Sequence, residues 1–566
     1  MTHPATTEPN GITPSGASKK RVRAPRGTEL TCQGWHQEAA LRMLMNSLDE
    51  QAADGHEDLV VGGSSAKPAR DWDSYHAVVR SLQSLKDGET FLIQSGEPAG
   101  IFETDAEAPR VLIANSNPAR PGSTEDQLPD AERLGPALFG QDARRSWTYV
   151  GSQQALHTAF ETFAAAGRAH FGGELAGRLI VSGGMGSTGG TQPLAATLQG
   201  AAFLGIEVDS ERITRRIRAG YCDFCVNSLD EALRILKNAV RQKQPVSVGL
   251  VGNCAEIIPE LARRGVVPDI LSDLTGVRDL LNGYVPAGMS LEEAGALRCR
   301  NPEDYFKRAC NSLALHARGM AELQKLGAVA FDFGNNLCGV AREHGGVQEA
   351  HRWPGFVSTY LRPAFAEGRV PLRWAALSGD ARDIHRADGL LLELFPDDAM
   401  LRRWIRLARK HVKLQGLPAR VGWLGREQRA RYAERLNALI ANGELMAPMV
   451  IARDRINCGL GVSPMMESDR TKDGENSTNP QTILNAVLSL NSGASWISLQ
   501  GAGAEGTAAT YPTTQAAIAD GTPGAGKRLQ RILENNCGFG PVRQARADDD
   551  NTRDSGASPA HAAPAG

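Results

Sequence analysis

The residues whose types and spacing are best suited to chemistry lie in Val181-Ser182-Gly183-Gly184-Met185-Gly186-Ser187-Thr188-Gly189-Gly190-Thr191-Gln192-Pro193. Gly184, Gly186 and Gly189 spell G-x-G-x-x-G. That spacing lets a backbone turn tightly, approach a pyrophosphate and aim a helix N-terminus at the anion. Taken alone the pattern is weak, but here an apolar run precedes it and a helical stretch follows. Gly184, Met185, Gly186, Ser187, Thr188 and Gly189 therefore read as a phosphate-binding loop. The next apolar run ends in Glu207 and Asp209, 18 and 20 residues beyond Gly189. A carboxylate at that distance commonly binds ribose hydroxyls, and acids there favour NAD over NADP, whose 2′-phosphate they would repel. Arg212 opens an arginine-rich segment, 212–218, expected to contact adenosine or a second subunit. Asn253 follows a third run and is either a cofactor contact or a helix N-cap. Asp273 and Thr275 follow a fourth and are equally ambiguous.

Other reactive residue types give less. Cys222-Asp223-Phe224-Cys225 is a C-x-x-C, but no second pair follows at useful spacing, and Cys254 and Cys338 are isolated, so no metal site is expected. His36, His157 and His385 are scattered and read as packing, capping or surface residues.

The elements that must carry the loop form a regular series: strand 178–182, helix 193–204, strand 205–208, helix 228–242, strand 246–251, helix 255–264, strand 269–271. Strands alternating with helices of this length mean a parallel sheet covered on both faces. Before it come a core-facing helix, 35–48, with Ala39, Leu41, Leu44, Met45 and Leu48 at three- and four-residue spacing, and strands at 90–94 and 110–114. After it, apolar segments at 370–377, 446–451, 495–499 and 514–518 belong to a larger α/β or mixed region.

A length of 566 residues exceeds one ordinary core and implies two or three domains. The 41% hydrophobic and 22% charged fractions are those of a globular chain. A net charge of −2 gives no electrostatic motive for a dominant nucleic-acid role. Nine cysteines, an odd number, and the lack of a signal-peptide pattern point to a reducing cytoplasm. The apolar runs are far shorter than a bilayer span, so no membrane segment is expected. Residues 1–23 and 544–566 read as disordered tails.

Four stretches in order, 183–197, Asp279-Leu280-Leu281-Asn282-Gly283-Tyr284-Val285-Pro286-Ala287-Gly288, Phe331-Asp332-Phe333-Gly334-Asn335-Asn336 and Gln415-Gly416-Leu417-Pro418-Ala419-Arg420, resemble the urocanase (urocanate hydratase) family. The resemblance covers about 24–543. It implies a urocanase-like α/β fold, with a Rossmann-type NAD-binding domain (151–349) inserted in a larger mixed α/β core domain built from 24–150 and 350–543. It also implies a cytoplasmic homodimer holding NAD+ tightly as an electrophile, never released as NADH. The implied reaction adds water to a urocanate-type imidazole acrylate to give an imidazolone propionate. Tyr284, within the second stretch, joins the cofactor-binding set on this ground.

The chain departs from the family on the substrate side. Gly62 stands where the family's Val-Val-Tyr-Gly-Gly has tyrosine, and Gly422 where its Gln-Gly-Leu-Pro-Ala-Arg-Ile-Cys-Trp has cysteine. Arg278 and Arg455 replace histidines, Met465 and Met466 replace Asn-Arg, and Gln500 falls in the family's His-His-Gly-Gly-Gly. Loss of a phenol and a thiol with gain of soft methionines suggests a larger, less polar pocket around Gly62, Gly422, Met465, Met466 and Gln500. S-methyl-thiourocanate or thiourocanate, from catabolism of ergothioneine-like histidine derivatives, would fit it. N-methyl-urocanate or plain urocanate, an NAD-dependent dehydrogenase and a non-catalytic NAD-binding homologue are the alternatives. Arg373 matches a family arginine expected to hold the substrate carboxylate, with Arg362 second and Arg455 a further contact. Asp454 is the expected proton carrier, with Glu467 behind it.

Overall fold

A computed structural model describes residues 22–49, 52, 68–115, 143–277, 279–348, 350, 353–453, 478–500 and 513–544. In chain order its strands are β1 (Glu89–Gln94), β2 (Glu97–Glu103), β3 (Val111–Asn115), β4 (Leu179–Gly183), β5 (Ala202–Glu207), β6 (Phe224–Val226), β7 (Val246–Val251), β8 (Ile270–Asp273), β9 (Val329–Ala330), β10 (Val370–Ala376), β11 (Ala419–Leu424), β12 (Met449–Arg453), β13 (Trp496–Gln500) and β14 (Thr513–Ala519). They form two sheets. The larger runs β11-β10-β12-β14-β13-β3-β1-β2, and the smaller β6-β7-β5-β4-β8-β9.

The larger sheet joins the two ends of the chain. Its seam is the parallel pair β3–β13, where Val111 lies against Trp496 and Leu112 against Ile497. Every residue of β10 is buried, and its side chains alternate between two cores. Leu372, Trp374 and Ala376 enter one, while Ala375 and the following Leu377 enter the other. Period-two alternation with both faces apolar is what a strand covered on two sides requires. Buried polar groups lock distant segments onto this frame. Arg42 pairs with Glu38 at 2.7 Å and donates to Leu377 O. Arg420 of β11 pairs with Asp388 at 2.9 Å, and Gln153 bonds both Arg420 and Ala419 O.

The smaller sheet is entirely parallel, and helices Gln192–Leu198, Leu229–Gln242 and Cys254–Arg263 connect its strands. It is therefore a Rossmann-like α/β unit inserted between the two halves of the larger mixed sheet. One expected boundary moves. The helix anticipated over 193–204 stops at Leu198, the chain turns through Gly200 at φ +90°, and 202–204 open β5. An unbroken apolar run buried on both faces reads alike as helix or strand, and the left-handed glycine decides between them. The edge strand β2 was not anticipated, being mostly exposed; a two-residue turn at Ser95 (φ 49°) and Gly96 (φ 78°) pairs it with β1. Among the described residues no helix is long and apolar enough to cross a membrane.

His36, in helix Trp35–Asn46, reaches the far end of the chain. Its Nδ1 lies 3.0 Å from Ser495 Oγ, and its Nε2 3.3 Å from Arg528 Nη2. Burial, with the Arg528 charge second, lowers its pKa to about 4 despite Asp520 nearby. As pH falls from about 6.5 toward 4 the unfolded chain takes up a proton that the folded chain refuses. This group's contribution is thus full above that window and is lost as pH falls through it, at up to about 1.4 kcal/mol per pH unit. His36→Gln should flatten this part of the profile, measured as urea midpoints from pH 4 to 7; an unchanged slope would remove His36 from the account.

Candidate functional site

In the smaller sheet the chain runs from β4 to β5, on to the edge strand β6 and back to β7 between them, then crosses over to place β8 on the other side of β4. At such a reversal the loops leaving neighbouring strands part, and a crevice opens at the carboxyl edge. A cleft of about 400 Å³ lies there, bordered by the loop after β4, the end of β5, and the starts of the segments after β7 and β8.

The glycines shape it in different ways. Gly184 has φ +79°, and a Cβ on it would come within 2.4 Å of Leu274 O; a Cβ on Gly189 would lie 2.1 Å from Gly184 O. Both hold the loop tightly folded. A Cβ on Gly186 would meet nothing within 4 Å, so its α-carbon faces open space at the cleft. Arg216, buried in helix Ser210–Ala219 and bordering the cleft, donates to Met185 O (3.3 Å) and Gly186 O (2.9 Å) and pins the loop.

The expected cofactor residues divide accordingly. Gly184, Gly186, Ser187, Thr188, Gly189, Glu207, Arg212, Asn253, Thr275 and Tyr284 line the cleft. Three do not. Met185 turns its side chain into a small core with Ile213 and Cys222. Asp209 caps helix Ser210–Ala219 by accepting from Glu211 N, and pairs with Arg212 at 3.6 Å. Asp273 lies buried beneath the cleft. Glu207, 4% exposed, accepts from Met185 N (2.8 Å) and from Arg212 (3.4 Å), so the acid expected at ribose also stabilises the glycine loop. Asn253 is the N-cap of helix Cys254–Arg263, accepting from Ala255 N and donating to Val285 O, both at 2.9 Å.

Below the cleft, Thr275 N, Thr275 Oγ1 and Asn335 Nδ2 all donate to Asp273 Oδ2. Burial nevertheless pushes the carboxyl up to about 7. Burial lowers the nearby His316 to about 3 and raises the Cys254 thiol and the Tyr284 phenol. Tyr284 stacks on His316, with its hydroxyl 3.3 Å from Nδ1. Sequence reasoning missed Cys254 and His316: one had no partner at useful spacing, and the other sits within helix Pro302–Lys325 with no local signal. Asn335 belongs to a recognised motif that carried no assigned role. A glycine turn, an open volume at Gly186 and a buried acid ending the second strand are features that fit a dinucleotide.

Comparison with known protein families decides the relationship. Residues 22–148 match the urocanase N-terminal domain, 151–360 the urocanase Rossmann-like domain and 363–557 the urocanase C-terminal domain. The chain belongs to the urocanase family. Its activity is accordingly of the urocanase hydratase class, and the Rossmann-like domain equips it to bind NAD.

Of the substrate-side candidates, Arg373, Arg362 and Gly422 fall among the described residues, and none of the three lines the cleft. Arg373 of β10 is 2% exposed, and its guanidinium donates to Thr148 O and Gln154 Oε1. Arg362 begins the short helix Arg362–Ala366 and is half-buried. Gly422 needs a correction. In the β10–β11 register it pairs with Leu372, so it faces the side of the sheet opposite Arg373. A Cβ there would lie 2.9 Å from Trp374 Cη2. The volume given up by the missing thiol is thus taken by an indole, and this glycine enlarges no pocket. Gly62, Asp454, Arg455, Met465, Met466 and Glu467 lie outside the described residues, as does the side chain of Gln500. Cys222 is buried and Cys225 exposed, both as free thiols.

Two substitutions test these assignments. Gly186→Val fills open space without straining a left-handed backbone, so folding should persist while NAD+ binding weakens on the order of tenfold or more, about 1.4 kcal/mol. Equilibrium dialysis reads this, and unchanged affinity would displace the phosphate site from this loop. Gly422→Cys should lower stability by about 1–3 kcal/mol through overpacking against Trp374. A denaturation midpoint equal to wild type would show that the indole yields.

Proposed function

We propose that this urocanase-family hydratase adds water to a urocanate-type imidazole acrylate, forming an imidazolone propionate, with NAD+ held firmly in the glycine-loop cleft of a homodimer. The match of three consecutive urocanase domains across 22–557 is the observation that carries this reading. Bound NAD+ would supply an electron-accepting ring for a reaction without net redox change. The chain's own part is binding, orientation and proton transfer. Gly186, Ser187 and Thr188 would approach the pyrophosphate, and Glu207 the ribose. Among Arg373, Arg362 and Arg455, one guanidinium would hold the acrylate carboxylate, whose planar geometry suits a two-pronged donor. Asp454 would move the proton, with Glu467 in support.

The family match favours the unsubstituted or N-methylated ring. A second reading, S-methyl-thiourocanate or thiourocanate, is supported by the residue types at Gly62, Met465, Met466 and Gln500, and gains nothing from Gly422. One assay on purified chain distinguishes these. Loss of acrylate absorbance without NADH absorbance is expected for a hydratase; NADH formation would indicate a dehydrogenase, and an inert panel a non-catalytic homologue. The ratios of kcat/KM across urocanate, the N-methyl-urocanates, thiourocanate and S-methyl-thiourocanate then identify the ring. If the sulfur-bearing rings lead, Gly62→Tyr should reduce their turnover at least about tenfold relative to urocanate, the scale of a steric clash of a kcal/mol or more. Ratios untouched by the tyrosine would rule out the enlarged-pocket reading.

A further inference from the structure

Three side chains from separate elements meet beneath the cleft: Cys254 at the start of helix Cys254–Arg263, Asp273 at the end of β8, and His316 in helix Pro302–Lys325. They are 4%, 1% and 1% exposed. One sulfur, one carboxylate oxygen and one ring nitrogen lie within 4.8 Å of one another. Asp273 Oδ2 takes three hydrogen bonds, whereas Oδ1 has no partner. His316 Nδ1 faces the Tyr284 hydroxyl, whereas Nε2 has none. The two unmatched atoms stand 3.7 Å apart, beyond hydrogen-bond range. Gly183 borders the same space, for a Cβ on it would fall 2.2 Å from Asp273 Oδ1 and 2.7 Å from Cys254 Sγ.

In metal sites each ligating imidazole and carboxylate typically has its second polar atom fixed by a neighbour, leaving the first free for the ion. Asp273 and His316 show that division, with Thr275, Asn335 and Tyr284 as the fixing groups. A sulfur, nitrogen and oxygen set suits a borderline dication such as zinc, while calcium and magnesium take oxygen donors. We infer that Cys254 Sγ, Asp273 Oδ1 and His316 Nε2 bind one zinc-class divalent ion, its fourth position turned toward the cleft that Cys254 lines. On binding, the thiol releases its proton to solvent, and thiolate plus carboxylate balance the dication. No electron is transferred. The site is independent of which imidazole acrylate the enzyme hydrates, because its occupancy is read without turnover.

The test uses the full-length chain without a polyhistidine tag, loaded with zinc sulfate and dialysed, with and without NAD+. Elemental analysis should give close to one zinc per chain. Cys254→Ala and His316→Gln should each retain at least about fivefold less, whereas Cys338→Ala, a buried thiol outside the cluster, should retain the wild-type amount. Cobalt loading of wild type should produce thiolate charge-transfer absorbance in the near ultraviolet, and this readout needs no variant to fold. Substoichiometric zinc below about a tenth per chain, absence of the cobalt band, or equal zinc in wild type and Cys254→Ala would overturn the site.

Discussion

The site depends on one steric constraint, the contact between the loop leaving β4 and the loop leaving β8. At Gly184 a side chain would meet Leu274 O and would also strain a φ of +79°; at Gly183 it would meet Asp273 and Cys254; at Gly189 it would meet Gly184 itself. Only chains without a Cβ at these points can bring the two loops so close. The contact pulls the loop back over the sheet, and the cleft is the volume left in front of it. Gly186 differs from its neighbours because it faces that volume, so its missing side chain leaves the cleft open while the others let the loops close together.

Polar groups then hold what the glycines permit. Arg216 fixes two loop carbonyls and Glu207 one loop amide, so cation and anion act on the same few residues through groups of opposite polarity. Such bonds are strong because they are charge-assisted and buried. Asp273 repeats the device below, drawing Thr275 and Asn335 together and so tying the end of β8 to the Asn335-Asn336 motif. A protein that must keep a nucleotide oriented gains from a loop fixed before the ligand arrives.

The larger sheet has a different task, closing one core from segments hundreds of residues apart. Gln153 and Arg420 carry the load at the junction, since helix Gln153–His170 begins the inserted unit and β11 belongs to the closing segment. The buried Arg420–Asp388 pair would be costly to leave half made, which makes partial assembly of this region unfavourable.

The sequence alone determined the glycine loop, the alternation of strands and helices around it and the family, because these depend on local spacing: G-x-G-x-x-G, apolar runs of strand length and contiguous motifs. It passed over helix Ser210–Ala219 and the short strands β6 and β9, whose apolar runs are too brief to register. It also located Glu207, Asn253 and Thr275, since carboxyl ends of parallel strands are found by counting. Only the tertiary structure showed that Asp209 is a cap and Met185 a core residue, because a side chain's direction at a strand end depends on which helix packs beside it. The fate of Gly422 was equally hidden, for the volume of an absent side chain belongs to whichever neighbour fills it, and Trp374 lies 48 positions away. Cys254, Asp273 and His316 show the same limit most clearly: no spacing links them, and it takes a crossover in the sheet and the packing of a long helix to bring a sulfur, an oxygen and a nitrogen to one point.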